Sequence, residues 1–169
     1  MATTNNVTNT VIDSLLPVYG NPRKNIPVWN EDDRMFIFDE FTTAAGHLHY
    51  RGLRFTNRIV VVENIALYHT WRYIDSIEVY TYNNHSKSLI GSMKYDKTFY
   101  NRDLIRRDVE SIVKQYIQGQ LKVQNVPMNE DVIVREVKKY VEESYTSFLS
   151  DDFGRSMTNL LPMFTTQHS

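Results

Sequence analysis

A chain of 169 residues, 41% hydrophobic and 23% charged, carries enough apolar material for one globular core, so disorder throughout is not expected. Its formal net charge of −1 supplies no global pull toward nucleic acid or an anionic membrane surface, and either partner would need a local patch. With no cysteine, disulfides, zinc–thiolate sites and thiol nucleophiles are ruled out, which fits a reducing compartment without requiring one.

Residues 1–30 read as an N-terminal arm. Thr and Asn dominate the first ten positions, which leaves too little apolar surface to offset the entropy of ordering. Val7, Val11 and Leu15, with Ile12 and Leu16 beside them, have a helical spacing that Pro17 stops. Gly20, Pro22 and Pro27 then favour an extended path. This start lacks the basic and apolar regions of a secretory signal, and no stretch approaches the roughly 20 apolar residues of a membrane span. A soluble protein inside a cell or a virion is expected.

Residues 31–150 read as a single α+β domain. Met35 to Phe38 form a short apolar strand expected to end at Asp39-Glu40, and 42–46 is small and turn-like. Residues 47–55 predict a strand interrupted at Gly52. Ile59 to Val62 are β-branched throughout and give the strongest strand signal. Glu63-Asn64 suits a turn into a strand over 65–73, in which His69 would share a face with Leu67 and Trp71. Asp75-Ser76 suggests a break or bulge before a strand over 77–82. Residues 83–86 (Asn-Asn-His-Ser) predict a hairpin loop, since Asn tolerates positive φ. The returning strand, 89–95, has Gly91 as a bulge or a point of close approach.

Two helices follow. Asn101 is a suitable cap for the first, whose stripe is Ile105, Val109, Ile112, Val113, Tyr116 and Ile117, with Gly119 near its end. Asn129 caps the second, with Glu130 and Asp131 in its first turn and a stripe of Ile133, Val134, Val137, Tyr140, Val141, Tyr145 and Phe148. Residues 151–169 read as a C-terminal tail in which Leu160 to Phe164 border an apolar patch without periodic context. Strands followed by helices argue for an antiparallel meander of four to six strands covered by two amphipathic helices, with extended arms at both ends.

Candidate chemistry is sparse. His47 and His49, two apart on a strand, would point to one side and could share a metal if Asp39, Glu40 or His69 completed the set; two half-exposed strand histidines are the simpler reading, and no metal or cofactor is expected. Ser76, His69 and Asp75 make a triad only on paper, being too close on one strand to reach triad geometry. No Gly-rich phosphate loop is present. Adjacent acids on a strand face opposite ways, so Asp39-Glu40 is not set for shared proton work. Arg51, Arg54 and Arg58, with Tyr68, Tyr80 and Tyr82, sketch a basic, stacking sheet for nucleic acid, but Asp103, Asp108 and Glu110 offset Arg102, Arg106 and Arg107, and no ribonucleoprotein-type aromatic segment appears.

The expected function is therefore a non-enzymatic structural or assembly subunit working through protein–protein contacts, as a homo-oligomer or a component of a ring or virus-like particle. Its contact residues would be Val7, Val11 and Leu15 of one arm, Leu160, Leu161 and Phe164 of the other, and Arg102 and Arg106, whose charge opposes the helix dipole and calls for acidic partners. The alternative is a small binding module: over residues 34–118 a meander closed by an amphipathic helix resembles, in architecture alone, pleckstrin-homology domains, which implies a lipid or peptide ligand. The third reading is an enzyme using His47 and His49.

Overall fold

Stretches of alternating side chains between Val28 and Phe99 pair, each with the next, into one antiparallel sheet of six strands. The computed structural model describes residues 27–56, 58–83, 85–142 and 161–165. The strands are β1 (Val28–Asn30), β2 (Met35–Thr42), β3 (Leu48–Phe55), β4 (Ile59–Tyr68), β5 (Trp71–Tyr82) and β6 (Lys87–Phe99), in that spatial order. Helix α1 (Arg102–Val123) follows, then α2 (Glu130–Val141) and a single helical turn, α3 (Pro162–Thr165). The α+β meander is as the patterning predicts. The sheet nonetheless begins at Val28, inside the stretch assigned to the arm, because Trp29 packs edge-on to Phe36 across the β1–β2 pair.

Both faces of the centre of the sheet are buried, which is why residues 59–62 are apolar without a break. Ile59 and Val61 face α1 together with Met35, Ile37, Ile65, Ile74, Ile77 and Val79. Val60 and Val62 face the other way, into a second core with Phe36, Phe38, Leu53 and Phe55. The α1 stripe of Ile105, Val109, Ile112, Val113 and Ile117 closes the first core. Strand β3 runs on through Gly52, where a Cβ would collide with Met35 Sδ of the neighbouring strand, and Gly91 lets the helix layer approach, since a Cβ there would lie 2.5 Å from Ile112 Cγ2 of α1.

Several turns differ from expectation. Asp39 takes a left-handed φ of 55° in a bulge, and β2 continues to Thr42 where a strand end was expected. Strand β4 passes straight through Glu63-Asn64, and the chain reverses instead at His69-Thr70, with His69 at φ 60°. His69 is therefore an exposed turn residue and not a packed strand histidine. Asp75 is the extra residue of a bulge opposite Asn64/Ile65, and Gly91 lies at another. Asn83 Oδ1 accepts from the Ser86 and His85 amides, each at 2.8 Å, and closes the β5–β6 loop as expected.

Asn101 and Asn129 cap the helices as their sequence positions suggest: Asn101 Oδ1 accepts from Leu104 N at 3.1 Å and Asn129 Oδ1 from Asp131 N at 2.9 Å. Helix α1 runs past Gly119. It ends in a Schellman motif with Asn125 at φ 58°, the Val126 amide donating to Leu121 O at 2.9 Å. Helix α2 leans mainly on α1: Tyr140 meets Tyr116 edge-on, Lys114 pairs with Glu130 at 3.1 Å, and Val141 reaches the first core. Ile133 and Val141 are its buried positions, while Val134 faces solvent. Tyr145 and Phe148 lie outside the described residues.

One charged cluster sits inside the helix-side core. Glu63, 1% exposed, accepts from Arg54 Nε at 3.0 Å and from the Tyr100 hydroxyl at 2.6 Å. Arg54 also donates to Asp33 O at 2.5 Å and to the Tyr100 oxygen at 3.2 Å. Arg72 lies over the Tyr100 ring, 4.0 Å from its centroid, and pairs with Asp33 at 2.7 Å. A buried carboxylate persists only with such partners. Burial beside the Glu63 charge pushes the Tyr100 phenol far above its ordinary range.

Candidate interaction face

The face of the sheet turned away from α1 divides into three zones. At one end Leu161 and Phe164 cover Phe55, Val60 and Val62; Phe164 meets Phe55 at 5.9 Å and Tyr80 at 5.6 Å, each edge-on. Both residues are thus spent within the chain: 7% and 4% exposed, they have the intramolecular use that their sequence context does not reveal.

The middle zone is charged and balanced. Arg51 lies over Phe38, with its guanidinium 3.7 Å from Asp39 and 3.8 Å from Glu78. Tyr80 donates to Glu78 at 2.7 Å, and burial, reinforced by that carboxylate, pushes its phenol up to about 12. Asn64 donates to Ser76 at 3.0 Å, so Ser76 is held across the strand pair and does not meet His69.

The far zone is a band of rings crossing five strands. Phe41 of β2 stacks on His49 of β3, with centroids at 5.3 Å. Tyr68 of β4 stands edge-on to His47 at 4.2 Å and to His49 at 6.2 Å. Tyr73 of β5 then meets Tyr68 at 5.2 Å and stacks on Phe99 of β6 at 5.0 Å, and Trp71 lies 5.5 Å from Phe99. Alternation places Phe41, His49, Tyr68, Tyr73 and Phe99 on this one side, and the two-residue turn at His69-Thr70 sets Trp71 opposite Tyr68. Trp71 is 58% and Phe99 56% exposed. Rings in this state are half-buried anchors, already ordered by neighbours and still offering apolar faces.

His47 and His49 do lie on one side, as their spacing predicts, but as members of the ring band. His49 Nδ1 is 3.8 Å from Asp75, and burial, set against that carboxylate and assisted by His47, holds its pKa below the usual imidazole value. Among the described residues no three His, Asp or Glu side chains gather closely enough to hold a metal ion. Nor do the arginines form one rim. Arg54 is buried on the helix side, Arg51 lies on the opposite face, and Arg58 covers the Tyr140 ring at 5.2 Å. Arg102 and Arg106 are exposed on the first turns of α1, with Arg106 3.6 Å from Glu110. Val7, Val11, Leu15 and Leu160 lie outside the described residues. No described helix is long and apolar enough to cross a membrane.

The band escapes sequence reading because its members lie on five strands, and only the register joins them. The alternation of residues 71–73 and the terminal aromatic of β6 were the available signals. No protein-family model, curated protein or solved structure matches the chain.

Proposed function

We propose that this protein is a non-enzymatic assembly subunit that engages a protein partner through the end of its sheet that bears the aromatic band. The observation that carries the reading is the aromatic band from Phe41 to Trp71, where two large rings are more than half exposed at the end of a pre-ordered row. Aromatic side chains held by neighbours give large contact area with little ordering cost, and interface energy concentrates on such residues. The bordering charges alternate in sign, with Arg51 between Asp39 and Glu78 and His49 beside Asp75. That pattern supports a protein rim over a phosphate backbone, which needs a basic surplus.

Sedimentation velocity of the full chain across a broad concentration range, repeated with Trp71→Ala/Phe99→Ala, tests the reading. Association that weakens at least tenfold in the double variant, with the unfolding midpoint little changed, supports it. Unaltered association moves the contact elsewhere. A protein monomeric at every concentration leaves only a hetero-partner, to be sought by comparing wild type and variant in a cross-linking pull-down.

A further inference from the structure

Strand β6 stands at one edge of the sheet and, among the described residues, pairs with β5 alone. About half of the N–H and C=O groups of such an edge point away from its neighbour, where an added chain can pair with them. The opposite edge, β1, offers three residues against the 13 of β6. The room for an added strand is therefore at β6.

This edge is basic. It carries Lys87, Lys94 and Lys97 against Asp96, a net charge of +2. Lys94 and Lys97 are exposed, and among the described residues neither has an ionic partner. Met93 packs against the first core, so alternation turns Lys94 to the side of the ring band, where Phe99 stacks on Tyr73 at the end of the strand. The register with β5 shifts twice along β6, with Lys97 at φ 46°, and the longest regular run is Gly91 to Lys94. Lysines and bulges of this kind keep like strands apart. Pairing with β6 of a second copy would set +2 against +2 across a broken register, whereas a short chain of opposite sign fits both constraints. Guarding an edge does not call for two large rings more than half exposed at its end, as Phe99 and Trp71 are.

We propose that β6 takes up a short, extended, acidic segment of a protein partner by strand addition, with an aromatic or aliphatic residue of that segment seated on Phe99 and Trp71. The inference rests on the assembly reading of the ring band and names the chemistry of the partner. Main-chain bonds to the edge supply affinity, and carboxylates beside Lys94 and Lys97 select the sign of the segment.

Three synthetic peptides separate these elements. The first is acetyl-Glu-Thr-Glu-Thr-Glu-Thr-Phe amide. In the second, Lys replaces each Glu; in the third, every Glu and Thr amide nitrogen of the first is methylated, which keeps the charge and removes the donors. Titrations of the full chain followed by amide NMR should show the Glu peptide saturating, with shifts along Gly91 to Lys94 and at Phe99, and the other two binding at least about tenfold more weakly. Lys94→Glu/Lys97→Glu, both at exposed positions, should reverse the preference toward the Lys peptide while the unfolding midpoint stays little changed. Equal binding of the Lys or the methylated peptide, shifts confined to other surfaces, tighter binding of an oligothymidylate, or no saturable binding would each overturn the assignment. Sedimentation of Trp71→Ala/Phe99→Ala judges the assembly reading separately. Association lost in that variant while no peptide binds refutes strand addition and leaves the band as the contact. Glu-peptide binding at β6 with association unaltered supports the edge site and moves self-association elsewhere.

Discussion

Gly91 and Ile112 offer a measurable test of how α1 is seated on the sheet. A methyl group at residue 91 would sit 2.5 Å from Ile112 Cγ2, against the roughly 3.5–4.0 Å at which carbon atoms attract. Ile112 is buried, so α1 must rise by about an ångström or the side chain must leave its rotamer. Overpacking of this kind costs about 1–3 kcal/mol. Replacing a strand glycine returns roughly 0.5–1 kcal/mol by restricting the unfolded chain, so Gly91→Ala should destabilise by about 1–2 kcal/mol. Ile112→Ala alone should cost about 2–5 kcal/mol through lost burial and the space left behind. In the double variant the colliding atom is gone, and the new methyl faces the retained Ile112 Cβ position at 3.5 Å, an ordinary contact that also fills part of the void. The two changes together should therefore cost at least 1 kcal/mol less than their sum. Urea unfolding of the four proteins, followed by far-ultraviolet dichroism and tryptophan fluorescence, gives the cycle. Additivity within about 0.5 kcal/mol would mean that the two sites do not touch, and the stated seating of α1 would be wrong.

Three further outcomes are expected. Phe164→Ala should lower stability by about 3–5 kcal/mol in urea, since its ring is buried against Phe55 and Tyr80; a loss below 1 kcal/mol would show that the C-terminal turn is not part of the second core. Glu63→Gln should cost about 3–5 kcal/mol by leaving the Arg54 charge buried without its counter-ion, and Arg54→Met/Glu63→Leu should recover most of it; a double variant as weak as the single would refute charge imbalance as the cause. His49 binds its proton less readily in the fold than in the unfolded chain. The unfolded state therefore takes up more protons as pH falls below about 6.5, and native stability should decline there while staying level above it. His49→Phe should flatten that acid limb in thermal melts at pH 5 and pH 7; an unchanged slope would place its origin in other groups.

The parts of the fold that were legible are those governed by local chemistry. The Asn101 and Asn129 caps, the α1 stripe, the Asn83 loop and the close approach at Gly91 each rest on a few neighbouring residues, and each was readable. The misreadings share a cause in tertiary contact. Glu63 looked like a turn residue because a strand carboxylate is normally solvated, yet Arg54 and Tyr100, 9 and 37 positions away, make it a core residue. His69 and Asp39 occupy left-handed positions that glycine or asparagine would have advertised. Leu161 and Phe164 had no periodicity to read, because a single helical turn buries two residues without repeating. The aromatic band was visible only as an abundance of tyrosine until the strand register aligned it.

Because every strand pairs with its sequence neighbour, the sheet of this protein is closed by short hairpins and makes few demands on chain search. The second core is the exception. Its lid, Leu161 and Phe164, emerges from the ribosome about a hundred residues after Phe55, which at typical synthesis rates is a delay of roughly 5–20 s. Throughout that interval the nascent sheet carries Phe55, Val60 and Val62 without the cover of Leu161 and Phe164. Synthesis of this chain therefore includes an interval in which one apolar face of the sheet is complete before the segment that seals it has been made.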